Sequence, residues 1–200
     1  MEFLDKGYMN WRRPTDLPNM SWRCGYCGDK VSSTKGLPIG EHGDGSGQVI
    51  GGIWICSNCH APTFFSPNHG KFPESSFGNA VSHVPEELYS LYKEARRCTS
   101  QNCYTAAVLL CRKILMNIAV ELGAEAGKSF VTYINHLSVE NYIPPNARHW
   151  VDHIRQKGNE ANHEVHAMTV DDAKELVLFT EMLLKLVFEF PKLVPSPTET

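Results

Sequence analysis

Four of the seven cysteines stand in two CxxC pairs, a spacing typical of metal-binding turns. The pairs are Cys24 with Cys27, in CGYC, and Cys56 with Cys59, in CSNC. Each CxxC turn places two thiolates on one side of a tight loop, and two such turns complete a tetrahedral zinc site. Because protein ligands then fill all four positions, we predict one structural zinc ion per chain. His60, directly after Cys59, is expected to be a surface residue outside this filled shell.

The residues around the two pairs favour a small zinc ribbon with short β-hairpins. Residues 53–55 form a β-prone run that leads into the second pair. Gly25 and Gly28 relieve backbone strain in the turn at the first pair. The segment 36–52 holds seven glycines. We therefore expect a loop that buries no core there, with zinc holding residues 22–65 together.

Other uses of the cysteines agree less well with the sequence. A thioredoxin-like redox role would need a βαβ context, which the glycine-rich flanks do not provide. The odd total argues against a closed disulfide framework. The remaining Cys98, Cys103 and Cys111 show no spacing for a second metal, and Cys111 is expected to be a small buried residue of a core helix.

A second group of polar residues lies in HWVDHIRQKGNEANHEVH, residues 149–166. If one helix runs through Gly158, then Arg155, Asn159 and His163 fall on one face at i, i+4 and i+8. His163 could then move a proton at a ribose 2′-hydroxyl, Arg155 could neutralise a phosphate, and Asn159 could orient either. The alternative is a solvated helix face broken at Gly158, and the residues alone favour that alternative.

Two further patterns are weaker. His149 and His153 at i, i+4, with Asp152 or His166 nearby, lack a further well-spaced ligand for a second metal. Residues 123–129, GAEAGKS, resemble a phosphate-binding P-loop, but three rather than four residues separate the glycines and a helix precedes them. Gly123 and Gly127 are better interpreted as a helix C-cap and a turn.

The charge distribution excludes a broad basic nucleic-acid footprint. The net charge is −3, with seven basic and seven acidic residues in 1–80 and twelve against fifteen in 81–200. No apolar run of a signal peptide is present in residues 1–22. The most apolar late segment, 176–188, is too short and too interrupted by charge to cross a membrane. We therefore expect a soluble, cytoplasmic protein.

Apolar periodicity predicts five helices after a connector at 61–83. The first spans about 85–98, and the second carries the most regular apolar stripe, from Tyr104 to Leu122. A capping box of Thr169 and Asp172 marks the start of the last helix. The third helix is expected around Phe130, Ile134 and Leu137, and the fourth around Trp150, Val151 and Ile154. The apolar face of the last helix comprises Leu176, Phe179, Leu183, Leu186 and Val187.

Several blocks together resemble a prokaryotic family catalogued as domain of unknown function four-one-four-five, over about residues 20–192. They are CGYCG, CSNCH, EELYSLYKEAR, AAVLLCRKILMNIA, RQKGNEANH and the capped last helix. That family is grouped with the HEPN superfamily of helical bundles. The resemblance thus implies a mainly α-helical chain, with a zinc ribbon at 20–65, a linker at 66–83 and a five-helix HEPN-like bundle at 84–192.

The resemblance also implies function. HEPN proteins are often dimers, and many are metal-independent ribonucleases of toxin, CRISPR-linked or anti-phage systems that use an arginine and a histidine. Alignment of GNEANH with the family block matches Asn159 and His163 but puts Gly158 at the arginine position, leaving Arg155 or Lys157 as substitutes. We therefore expect a non-catalytic binding and dimerisation module in phage defence or nucleic-acid metabolism, with metal-independent RNA cleavage as the alternative. Expected partners are a second copy through the bundle, RNA or other nucleic acid, and a protein bound by the ribbon.

Overall fold

The computed structural model describes residues 11–68, 70–144, 154 and 167–193. The chain divides into two compact units, Met1–Ser76 and Phe77–Thr200. The prediction of a mainly α-helical chain with a five-helix bundle is wrong. In the described residues, a five-stranded antiparallel sheet is followed by four helices. We call the two units the sheet unit and the helical unit.

The sheet has the simplest antiparallel topology, in which each strand pairs with the next along the chain. Its strands are β1 (Thr15–Arg23), β2 (Lys30–Gly40), β3 (Val49–Ile55), β4 (Pro62–Phe65) and β5 (Lys71–Phe72). The sequence analysis expected only short hairpins here. Two of the strands are instead nine and eleven residues long.

The glycines of residues 36–52 explain this correction, because several of them belong to strands rather than to a loop. Gly36 of β2 pairs with Trp54 of β3. A Cβ atom at position 36 would lie 2.0 Å from the carbonyl oxygen of Ile53, and one at Gly52 would lie 2.4 Å from that of Leu37. Glycine therefore allows the two backbones to approach closely, a role that composition alone does not distinguish from a loop.

The sheet unit has a small core built around two tryptophans. Phe65 packs edge-on against Trp22 and Trp54, with ring centroids 5.6 Å and 5.3 Å apart. The Nε1–H of Trp22 donates to the hydroxyl of Thr63 at 3.0 Å, and that of Trp54 donates to the carbonyl of Pro18 at 3.1 Å. The buried residues of this core are Leu17, Trp22, Cys24, Val31, Trp54 and Cys56.

The helical unit contains α1 (Glu86–Ser100), α2 (Tyr104–Glu121), α3 (Phe130–Val139) and α4 (Val170–Leu184). These correspond to the first, second, third and last helices predicted from the sequence. The predicted fourth helix falls almost entirely outside the described residues; its Ile154 is helical and buried in the helical core. None of the helices in the described ranges is long and apolar enough to cross a membrane.

Helix α2 lies at the centre of this unit and packs against α1, α3 and α4. Its predicted stripe is confirmed, because Val108, Cys111, Leu115 and Ile118 are all fully buried. The expected role of Cys111 as a small core residue is therefore confirmed. Such burial of an apolar stripe is the main source of helix stability in folded proteins.

Helix α4 begins as predicted and ends differently. The side chain of Thr169 accepts a hydrogen bond from the backbone of Asp172, whose carboxylate accepts one from the backbone of Thr169. After Leu184 the chain continues through a π-helical turn (Lys185–Glu189) into a last α-helical turn (Phe190–Leu193). A π-helical turn holds more residues than an α-helical one. Of the last two residues of the predicted apolar face, Leu186 is 37% exposed, whereas Val187 is partly buried and packs against the helical core.

A buried carboxylate joins α4 to the segment that precedes α1. Glu181 is 6% exposed. It accepts hydrogen bonds from the backbone and the side chain of Asn79, at 2.8 Å and 3.0 Å, and from the ammonium group of Lys185 at 2.5 Å. Tyr92 of α1 donates its hydroxyl to the carbonyl of Asn79 at 2.9 Å. The sequence analysis treated Glu181 only as an interruption of an apolar segment.

We predict that Glu181→Gln destabilises the helical unit in a pH-dependent way. Burial would raise the pKa of Glu181, but hydrogen bonds from Lys185 and Asn79 outweigh burial and lower it. A lowered folded-state pKa means that the ionised carboxylate stabilises the fold above its ordinary pKa and loses this effect as the pH falls through the folded-state value. The substitution should cost about 1.5–3 kcal/mol at neutral pH, and less in acid.

Urea unfolding of the full chain, followed by far-ultraviolet circular dichroism at neutral pH and in acid, measures this cost. Glu121→Gln is the matched control, because Glu121 is exposed on α2. An equal loss of stability in both variants, or a loss that does not shrink in acid, would contradict the role given to Glu181.

Candidate metal centre

The first cysteine pair forms a tight turn between β1 and β2. Cys24 follows the last residue of β1, and its backbone N–H donates to the carbonyl of Asp29 at 2.9 Å. The N–H of Gly28 donates back to the carbonyl of Cys24 at 3.0 Å. Gly28 has a φ of +78°, a conformation that glycine adopts without strain. The turn therefore holds both thiols of the pair at the end of β1.

The second pair repeats this turn between β3 and β4. The N–H of Cys56 donates to the carbonyl of Ala61 at 2.9 Å, and the N–H of His60 donates to the carbonyl of Cys56 at 3.0 Å. His60 has a φ of +57° and so occupies the position that Gly28 has in the first turn. Its side chain is exposed, as the sequence analysis predicted. His60 thus contributes to the turn through its backbone conformation and its N–H group.

The topology brings the two turns together. Strand β2 is antiparallel to both β1 and β3, so β1 and β3 run in the same direction and end at the same edge of the sheet. A side-chain hydrogen bond from Asn58 to Asp29 joins the turns directly. The side chain of Arg23 also donates to the carbonyl of Gly28 at 2.9 Å.

The four cysteine sulfur atoms converge at this edge, all within 4.8 Å of one another. The Sγ atoms of Cys24 and Cys59 are 3.7 Å apart, and those of Cys27 and Cys56 are 3.9 Å apart. Thiolates about 2.3 Å from a tetrahedral zinc ion have sulfur–sulfur separations of about 3.8 Å. The spacing of the thiols therefore fits a metal ion of this size and geometry.

Burial and hydrogen bonding act in opposite directions on the thiols of the cluster. Cys24 and Cys56 are fully buried, whereas Cys27 and Cys59 are partly exposed. Burial raises the pKa of Cys59 to about 11, and burial also raises the pKa of Cys27. Burial opposes ionisation of Cys56 as well, but backbone N–H groups that donate to its sulfur outweigh burial and lower its pKa. All four thiols can ionise together only where a cation compensates their charge.

The second polar group of the sequence analysis belongs to a part of the chain that the structure does not describe. Arg155, Asn159 and His163 lie outside the described residues, and so do His149 and His153 with Asp152 and His166. Within the described ranges, the four cysteines are the one group of three or more histidine, cysteine or acidic side chains spaced to hold a metal ion. The P-loop-like segment is described: Gly123, with a φ of +95°, caps α2 as predicted.

The fold and the cluster define a two-unit protein, in which a sheet with a candidate four-cysteine metal centre precedes a helical unit. The chain belongs to the family described as Domain of unknown function (DUF4145), whose model matches residues 93–198. The match covers most of the helical unit and leaves the four cysteines outside it. No curated protein and no solved structure matches the chain significantly.

We predict that Gly25→Ala destabilises the first cysteine turn. A Cβ atom at position 25 would lie 2.5 Å from the carbonyl oxygen of Pro73 and 2.8 Å from that of Glu74, both of which belong to the backbone. The backbone must therefore move to relieve the clash, and overpacking of this kind costs about 1–3 kcal/mol. Gly43→Ala should be nearly neutral, because a Cβ atom there would have no neighbour within 4 Å.

Thermal unfolding of the full chain, followed by tryptophan fluorescence, compares the two variants. Three of the four tryptophans, at positions 11, 22 and 54, lie in the sheet unit. If both variants melt like the unsubstituted protein, the close approach at Gly25 does not constrain the turn.

Proposed function

We propose that this chain is a non-catalytic binding and dimerisation module whose sheet unit is held by one structural zinc ion. Zinc is the metal that best suits four thiolates, because it accepts tetrahedral sulfur ligands and imposes no other geometry. Four protein ligands leave no open position for a substrate or a water molecule. The ion would stabilise the folded sheet unit, because two of the six buried residues of its described core, Cys24 and Cys56, would be ligands of the ion.

The zinc proposal predicts one zinc ion per chain in protein purified under reducing conditions. Cys56→Ser should lose the metal and unfold the sheet unit, while the helical unit, which has its own core, stays folded. Cys103→Ser is the matched control, because that thiol is exposed and outside the cluster. Metal analysis measures the zinc content, while tryptophan fluorescence and circular dichroism follow the two units. Protein that contains no zinc, yet keeps a folded sheet unit, would refute the proposal.

One surface of the sheet carries the binding function. Leu37, Ile53, Phe64 and Phe72 pair in register across β2, β3, β4 and β5. We call these four residues the apolar row. Successive residues of a strand point to opposite faces, so Ile53 lies on the face opposite its neighbour Trp54, which is in the core.

The apolar row remains accessible to solvent. Leu37, Phe64 and Phe72 are 36%, 38% and 61% exposed, and Ile53 is partly exposed. A contiguous exposed patch of large apolar side chains is typical of a docking surface rather than of ordinary protein surface. This row is the observation that carries the binding function.

A protein is the partner that best fits the apolar row. The first 80 residues carry seven basic and seven acidic side chains, so the sheet unit lacks the excess of positive charge that nucleic-acid backbones attract. Aliphatic and aromatic side chains together favour an apolar protein surface. Binding to RNA or other nucleic acid is the competing outcome in the experiment below.

Dimerisation is proposed through the outer side of α4 and the turns that follow it. Leu178, Leu186, Phe190 and Leu193 are 43%, 37%, 45% and 65% exposed. They recur at intervals close to whole turns once the wider π-helical turn is included, so they share one side of the helix. A second copy of the same helix, packed against this side, would remove these residues from water.

The remaining predictions rest on the resemblance. A HEPN-like origin of the helical unit and a role in phage defence or nucleic-acid metabolism are what the resemblance suggests. RNA cleavage through Arg155, Asn159 and His163 stays a prediction, because these residues lie outside the described part of the chain.

Site-specific photo-crosslinking tests the binding surface. A photoreactive phenylalanine at Phe72, in the full chain expressed in its native host, should give one recurrent crosslink to another protein. The same probe at Thr34, an exposed residue of β2, is the control and should not give it. Leu37→Ser should reduce the Phe72 product, because it removes one member of the apolar row. A product that nuclease digests, or one that Leu37→Ser leaves unchanged, contradicts docking of a protein on the row.

The same experiment has a second arm for the dimer. The probe at Phe190 should give a product with twice the mass of the chain. Val139 is the control position, because it is also apolar and is 73% exposed, but lies on α3. Equal products at the two positions, or none at Phe190 in concentrated protein, would count against dimerisation through α4.

A further inference from the structure

Three helices of the helical unit end in the same type of C-cap. After each helix, one residue takes a positive φ, and the N–H of the next residue donates to a carbonyl five residues earlier, as in a Schellman motif. The residues with positive φ are Asn102, Gly123 and Asn141. The corresponding hydrogen bonds run from Cys103 to Cys98 at 2.8 Å, from Ala124 to Ala119 at 2.9 Å, and from Tyr142 to Leu137 at 3.0 Å.

This motif brings the side chains of the two bonded residues together, usually as an apolar contact. The end of α2 follows that preference with Ala119 and Ala124. At the end of α1 the two positions are instead occupied by Cys98 and Cys103. The backbone hydrogen bond therefore keeps two free cysteines close together in space.

The two thiols differ in exposure. Cys98 is partly buried and packs against the helical core, whereas Cys103 is exposed, with its Sγ 3.6 Å from the carbonyl oxygen of Gln101. Burial raises the pKa of Cys98, and the adjacent Cys103 and Glu94 raise it further. A disulfide needs Cα atoms about 4.4–6.8 Å apart, a range that residues joined by such a backbone bond satisfy. Rotation of the exposed Cys103 side chain can then bring its sulfur to Cys98.

We propose that Cys98 and Cys103 form a dithiol site that peroxides oxidise to a disulfide. The thiolate of Cys103 attacks one peroxide oxygen, the O–O bond breaks, and Cys103 becomes a sulfenic acid as water is released after proton uptake. The sulfur of Cys98 then attacks the sulfenic sulfur, the S–S bond forms, and a second water molecule leaves. Two thiols lose two electrons in total, and hydrogen peroxide accepts them. Thiol–disulfide exchange with a small dithiol restores both thiols.

The other cysteines are less suited to this reaction. Cys111 is fully buried, and burial raises its pKa to about 12, so its thiol stays protonated inside the core. The four clustered cysteines, if they hold a metal as proposed, are not available as free thiols. The dithiol site is independent of that proposal, because Cys98 and Cys103 belong to the other unit.

Limited hydrogen peroxide treatment of the full-length protein, purified with its metal, tests the site. Intact mass should fall by two hydrogen atoms, and peptide mapping without reduction should link Cys98 to Cys103. Dithiothreitol should restore the original mass. In Cys98→Ser, oxidation should stop at the sulfenic acid of Cys103, which a dimedone probe then traps. In the unsubstituted protein this trapping should be much weaker, because Cys98 resolves the intermediate.

The proposal is overturned if the mapped disulfide involves Cys111 or a clustered cysteine instead. It is equally overturned if dimedone traps the sulfenic acid of Cys103 in the unsubstituted protein as readily as in Cys98→Ser, because Cys98 then does not resolve it. Circular dichroism of the unsubstituted protein and of Cys98→Ser checks that this variant is folded. Cys103→Ser, whose altered side chain is exposed, is a second variant and should form no disulfide.

Discussion

The convergence of four thiols at one edge of a small sheet is the constraint on which the sheet unit depends. Two turns of the same construction end β1 and β3, and both strands run towards the same edge because β2 lies antiparallel between them. In the part of the chain that the structure describes, the core behind this edge contains six buried residues, two of which are cysteines. So small a core gives limited hydrophobic stabilisation. A metal ion that lets the thiols ionise would therefore add to the stability of this small unit.

The helical unit has a larger apolar core. Its core extends over all four helices, and α2 buries a continuous stripe between its neighbours. Polar groups fix the ends of the elements: the capping box starts α4, and the carboxylate of Glu181 holds the segment before α1 through Asn79. A buried carboxylate is costly unless its hydrogen bonds are made. Glu181 therefore favours the one placement of that segment in which Asn79 donates to its carboxylate.

Sequence reasoning succeeded where one spacing has one physical meaning. Two CxxC pairs identified the cysteines that the fold brings together, and the 3.6-residue period identified four helices to within a few residues. It failed where a residue type has two meanings. Glycine signals a loop or a close approach of strands, and Gly36 serves the second purpose. A charge within an apolar run signals solvent or a buried network, and Glu181 belongs to the second. Choosing between such meanings requires the partner residue, which is distant in sequence.

The cysteine cluster and the proposed binding surface are linked through strand register. The apolar row exists only while Leu37, Ile53, Phe64 and Phe72 stay opposite one another, and a slip of one residue would turn a strand's side chains to the other face. Ile53 lies three residues before Cys56, and Phe64 lies five after Cys59, on the two strands that the second turn joins. That turn therefore fixes the register of β3 against β4. A structural metal would preorganise the row for a partner that the metal itself never touches.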